Sequence, residues 1–141
     1  MKTVALAACV LLFGLVVHAE TGKAVIGEST FELKDFPEIQ KEFGSQRQIL
    51  MDPTATLDEL EIHVTTLNPG QMPHGPHQHG NEELIIIKQG SVEALVDGKW
   101  RPVGVGGIIF NASNQVHTIR NAGNIPAIYH VISWRTDKTP K

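Results

Sequence analysis

The chain has 141 residues, 41% of them hydrophobic and 19% charged, a composition that fits one globular domain and excludes an extended disordered polypeptide. Its formal net charge is −3, and no run of Lys or Arg exceeds a dipeptide, so a basic face for nucleic acid or for an anionic membrane is absent. Small molecules and other protein surfaces are the partners this leaves.

The first residues differ from the rest. Lys2 supplies a positive charge, Val4 to Val17 is almost wholly apolar, and Val17-His18-Ala19 places small residues at both positions that a signal peptidase requires. Residues 1–19 are therefore expected to be a signal peptide, with delivery to the periplasm or the exterior and a mature chain beginning at Glu20. The apolar stretch, about fourteen residues, falls short of the roughly 20 needed to span a bilayer, so no stable membrane anchor is expected. Leu6-Ala7-Ala8-Cys9 looks like a lipoprotein cleavage box, but too few residues precede it to form the apolar region such a signal needs. Cys9 is the single cysteine. Once it leaves with the peptide, no disulfide, thiolate ligand or cysteine nucleophile remains.

Residues 20–56 read as an N-terminal arm followed by a first strand. Phe31, Leu33, Phe36, Ile39 and Phe43 form an apolar strip, and Asp35 to Phe43 is expected to hold a short helical turn capped by Asp35 with Pro37 early in it. The arm would pack on the domain or on a partner subunit.

After Gly44 short β-prone runs succeed one another: Gln48–Met51, Glu59–Leu67, Glu83–Lys88, Val92–Val96, Lys99–Val103, Ile108–Phe110, Val116–Arg120 and Ala127–Trp134. Gly, Pro, Asn or Asp punctuates each, and Asp97-Gly98 is a strong two-residue hairpin signal. The pattern predicts an all-β sandwich or barrel, with the main domain over residues 57–136 and a tail over 137–141. Within Glu59–Leu67, Leu60, Ile62 and Val64 share one face, and Glu61, His63 and Thr65 the other. On that basis His63 is expected as a histidine of the sheet surface, with a cavity position as the other reading. Leu84 to Ile87 is apolar on both faces, so something must cover each side, and a closed two-fold homodimer is the expected solution.

The chemistry concentrates in one short segment. His77 and His79, two apart, put both imidazoles on one side of an extended chain, and Gly80-Asn81 lets Glu83 bend round to the same centre. Imidazoles with a carboxylate suit a borderline divalent transition metal. His117 is the best candidate for a fourth ligand, from a strand paired nearby. His74, between Pro73 and Gly75, reads as a loop residue. Trp100, Arg101, Arg120, Tyr129, His130 and Trp134 are expected in packing or solvated positions, and Glu82 in a solvated or ion-paired one. Asn111-Ala112-Ser113 is a glycosylation sequon by letter only.

These residues resemble the two motifs of the cupin superfamily. In the first, His77-Gln78-His79 is followed after three residues by Glu83 and after six more by Gly90. In the second, Gly106, Ala112-Ser113-Asn114, His117 and Asn121 fall at the matching spacings. Six residues separate Gly70 from His77 where the family has five, and Ala112 and Asn114 stand where it has Pro and Gly; Asn tolerates the left-handed turn Gly would make. The resemblance covers roughly Leu57 to Trp134. It implies a double-stranded β-helix, the jelly-roll barrel of cupins, holding one divalent ion (Mn, Fe, Ni, Cu or Zn) on His77, His79, Glu83 and His117. It also implies a small metalloenzyme of the dioxygenase or isomerase kind acting on a small organic molecule. The alternative is a non-enzymatic cupin that binds a sugar or another small ligand in a metal-organised pocket.

Overall fold

The structure, a computed structural model, describes residues 23–141; the expected signal peptide lies outside the described residues. Among those residues, nine strands form two antiparallel sheets. They are β1 (Ile39–Lys41), β2 (Gly44–Asp52), β3 (Glu59–Leu67), β4 (Glu82–Gln89), β5 (Ser91–Val96), β6 (Lys99–Gly104), β7 (Ile108–Asn111), β8 (Ile119–Arg120) and β9 (Ala127–Arg135). The larger sheet has the order β1-β2-β3-β9-β4-β7 and the smaller β6-β5-β8. This is the all-β architecture the strand pattern predicts, in the jelly-roll form the motif resemblance implies. No helix among the described residues is long and apolar enough to cross a membrane.

The expected strands recur with their ends moved by a few residues. Asp97 and Gly98 both take positive φ, 50° and 70°, as a two-residue hairpin turn between β5 and β6 requires. Pro102 is accommodated because β6 is an edge strand and needs no donor on its outer side. Two expectations are corrected. The helical turn from Asp35 to Phe43 is absent: a single 3-10 turn spans Leu33–Asp35, and the chain then extends into β1, whose pairing with β2 outweighs the weak local preference. Val116–Arg120 is not a full strand either. Only Ile119–Arg120 joins β5, while His117 makes an isolated bridge with His77.

The core lies between the sheets, where Leu67, Ile85, Ile87, Val92, Ala94, Ile109, Ile119, Ala127, Tyr129 and Val131 are all buried. Phe43 from the turn between β1 and β2 closes one end. Asn121 ties the β8–β9 loop to the end of β3: its buried side chain donates to the carbonyls of Leu67 and Ile125, both at 2.8 Å, and accepts from the Gly123 amide at 2.9 Å. Each buried group left unpaired would cost roughly 1–3 kcal/mol, so this one side chain holds much of the loop geometry.

The larger sheet has an unusual distribution of faces. Inward go Glu61, His63 and Thr65 of β3, together with Glu83, Ser133 and Asn111 from the strands registered beside them. Outward go Leu60, Ile62, Leu84, Ile86, Ile132 and Trp134, with Ile108 and Phe110 on β7 63% and 53% exposed. Part of this apolar face lies under the N-terminal arm, whose Ile26 amide donates to the Pro53 carbonyl and whose residues share a groove with Leu50, Leu60 and Ile62.

Candidate metal centre

Two backbone hydrogen bonds assemble the centre. The His77 amide donates to the His117 carbonyl at 3.1 Å, and the His117 amide donates back to the His77 carbonyl at 2.9 Å. This reciprocal pair places the two Cα atoms about 5.5 Å apart with both side chains on one face. The Asn114 amide donates to the His79 carbonyl at 2.8 Å and fixes the next ligand candidate against the same turn. That turn needs a left-handed residue, and Asn114 supplies it with φ 58°.

His77, His79 and His117 converge, with one ring nitrogen from each lying within 4.8 Å of the others. Two of the rings are held in the tautomer that presents a bare Nε2. His79 Nδ1 donates to the Asn81 carbonyl at 2.9 Å, and His117 Nδ1 donates to the Gln115 carbonyl at 2.8 Å. The Glu83 carboxylate completes the group, 3.5 Å from His117 Nε2 and 4.0 Å from His79 Nε2. Asn111 orients it, donating to Oε1 at 2.7 Å. Asn111 is itself buried, which withdraws the sequon from glycosylation.

The residues present fit a divalent ion. His77 Nδ1 and His117 Nε2 are buried with no hydrogen-bond partner among the described residues, a cost that a cation would offset. A transition metal bonded at about 2.1 Å requires donors only a little closer than these. Three imidazoles and one carboxylate suit manganese, iron, nickel, copper or zinc, and the carbonyls behind His79 and His117 are the outer partners such ligands use. Burial lowers the pKa of both His77 and His117 below the ordinary 6.5, with nearby histidines adding to the effect and Glu83 opposing it. Both are therefore neutral, as ligands must be, at neutral pH.

The centre opens into a cavity of about 270 Å³ inside the barrel. Ile85, Ile119 and Val131 form its apolar wall, and Thr65, Tyr129 and His63 its polar one. Burial pushes the Tyr129 hydroxyl well above its ordinary range, so it stays protonated and able to donate. His63 thus lies inside and not on the sheet surface, because it is the polar face of β3 that turns inward. His74, read as a loop residue, is exposed yet lines the cavity and sets its ring edge against His77, centroids 4.0 Å apart. Tyr129, expected in packing, and Lys41 also border the cavity; the pairing of Tyr129 with Thr65 across β3 and β9 is the signal that they share a face. Trp100, Arg120 and Trp134 are elsewhere, in an Arg120–Trp100 cation-π contact at 4.0 Å and a Trp134–Phe110 stack. The C-terminal tail packs against the centre's outer loop, since a side chain on Gly80 would collide with the Pro140 carbonyl.

A family model described as "Cupin domain" matches residues 63–133, just over half of the chain. The chain belongs to the cupin family. Three solved structures share its fold at identities too low to carry more than that. KdgF from Halomonas sp. is 18% identical with a TM-score of 0.63, the match covering 81% of this chain and all of that one. The polyketide cyclase RemF from Streptomyces resistomycificus is 17% identical with a TM-score of 0.63, over 77% of this chain and 80% of the other. A sugar phosphate isomerase from Silicibacter pomeroyi is 17% identical with a TM-score of 0.62, over 77% and 76%. None of the curated proteins matches the sequence.

The histidine shifts carry a pH dependence for the metal-free protein. Unfolded, His77 and His117 titrate near the ordinary 6.5; folded, they take up protons only at lower pH. The unfolded state therefore binds more protons as pH falls below that value, and stability drops from there downward, whereas above it both states are neutral. Denaturant midpoints of metal-free protein should fall between about pH 7.5 and about pH 5. A midpoint that rises over this interval would contradict the buried, neutral placement of the two rings.

Proposed function

We propose that the protein is an exported metal-binding cupin that holds one divalent ion on His77, His79, Glu83 and His117 and acts as a small metalloenzyme on a small organic molecule in the cavity. The observation that carries this reading is the convergence of His77, His79 and His117, with the buried, unpartnered Nε2 of His117 set 3.5 Å from Glu83 at the border of a partly apolar pocket. The ion would supply Lewis acidity toward an oxygen of the bound molecule. The chain's own residues do the rest. Ile85, Ile119 and Val131 exclude water, Tyr129 and Thr65 offer hydroxyls for orientation, and Asn111 keeps Glu83 aimed at the centre. Isomerisation and oxidation are the two reaction types of this reading, and His63, Tyr129 and Thr65 in the cavity suit the proton movement of the first.

Cobalt(II) titration, read by its visible absorption, tests the site. Wild type should take up one ion per chain. Replacing His77, His79, Glu83 or His117 by Ala should weaken binding by more than the roughly 10–100-fold that outer-shell changes cost. His74→Ala should leave the stoichiometry intact. Equal affinity in wild type and in the His77→Ala/His117→Ala double variant would refute the assignment.

Export and self-association complete the proposal. The apolar outer face built from Leu84, Ile86, Ile132, Trp134 and the exposed Ile108 and Phe110 is the surface through which two copies would pair. Native mass spectrometry of the exported protein should find dimers of chains that begin at Glu20. Monomers at high concentration would remove the pairing, and chains that retain Met1 inside the cytoplasm would remove the export.

A further inference from the structure

We infer that His63 and Glu61 form a proton-transfer couple in the cavity, one that takes a proton from a small weak acid of the hydroxy-carbonyl class bound at the metal centre and gives it back. The inference rests on the metal-centre reading and adds to it the group that moves the proton.

His63 Nδ1 lies 3.0 Å from Glu61 Oε1, and the two side chains are only 15% and 24% exposed. A carboxylate accepts and never donates when ionised, so the proton of this bond belongs to Nδ1 and the lone pair of the neutral ring to Nε2. Glu61 is held in the ionised form: the His63 hydrogen bond lowers its pKa more than burial raises it. With Nδ1 spent on Glu61, Nε2 is the nitrogen left to the cavity that His63 lines together with Glu83 and His117.

The sheet sets the distance. Glu61 pairs with Ser133, which pairs with Glu83, so their Cα atoms stand two strands apart in one row, roughly 10 Å. His63 occupies the neighbouring row with Val131 and Ile85. It is not one of the three converging histidines. A molecule in the cavity therefore meets His63 and Glu83 on the same sheet face, with His117 also bordering it. The geometry is that of a general base oriented by a carboxylate.

The step balances without a further reagent. An O–H or C–H bond of the ligand breaks and its electron pair stays on the ligand. The proton forms an N–H bond at His63 Nε2, and the imidazolium charge is offset by Glu61. Return of that proton to the same or the neighbouring ligand atom restores the couple, so the net change is an exchange or an isomerisation with no oxidant or reductant. Glu61 is the positioning residue: it acts through His63.

The probe is acetohydroxamic acid, a small oxygen chelator that loses a proton when it binds a metal. Zinc-loaded wild type and His63→Gln are titrated with it by calorimetry, in two buffers of different ionisation heat, to count protons released. Wild type should retain the proton on His63, and His63→Gln should release about one more per ligand bound, while both take up the same amount of zinc. Nitrogen-15 NMR gives the second readout. His63 should be Nδ1-protonated in wild type and shift to the Nε2-protonated form in Glu61→Ala, and Glu61→Ala should release the extra proton as His63→Gln does, a change that a purely structural contact would not require. Equal proton release in both proteins, failure of the hydroxamate to bind, or an Nε2-protonated His63 in wild type would each overturn the couple. If wild type takes up no zinc, the metal reading fails by itself, and an Nε2-protonated His63 would still overturn the couple.

Discussion

The reciprocal backbone pairing of His77 with His117 is the constraint on which the rest of the site depends. It joins the loop ahead of β4 to the loop ahead of β8, segments that the sequence keeps far apart, and fixes two imidazoles side by side before any ion is bound. Local chemistry finishes the centre. The Gln115 and Asn81 carbonyls set two tautomers, Asn111 sets the carboxylate, and the turn through Asn114 keeps His79 within reach. Free energy stored in the core of the barrel is in effect used to hold partly dehydrated ring nitrogens near one another, which is unfavourable until a cation occupies the space between them.

The barrel separates this polar work from its stability. Between the sheets, the end lined by Leu67, Ile87, Val92, Ala94 and Ala127 is packed and dry, while the end lined by His63, Thr65, Glu83, Asn111 and Tyr129 is polar and open. The apolar residues displaced from that inner end do not vanish from the strands. They appear on the outer face of the larger sheet, where Leu60 and Ile62 meet the N-terminal arm, and Ile108 and Phe110 stay exposed. One constraint therefore explains both a polar interior and an apolar exterior, and it links the ligand cavity to the surface through which we propose the copies pair.

Most of the architecture is legible in the sequence because it is written locally. Strand runs, the Asp97-Gly98 turn and the two histidine motifs each depend on residues close together in the chain. Local signals mislead where tertiary context decides. The Asp35–Phe43 segment carries helix-start signals, yet β1 pairs with β2 there. Alternation in β3 separates its two faces correctly but does not say which one turns inward, and the usual expectation that apolar residues point to the core points the wrong way. The cavity position of His63 stays the second reading for that reason. His74 escapes detection because a Pro-His-Gly loop gives no local sign of folding back over the His77 ring.

The central claim is that a single ion sits where the three histidines and Glu83 converge. An anomalous-scattering map of crystals grown from protein purified without a metal-binding tag, recorded on both sides of the absorption edges of the candidate metals, addresses it most directly. The account predicts one strong peak within coordination distance of His77, His79, Glu83 and His117, and its energy dependence would name the metal. A cavity without such a peak in protein soaked in each of those metals, or a peak bound by other residues, would contradict it.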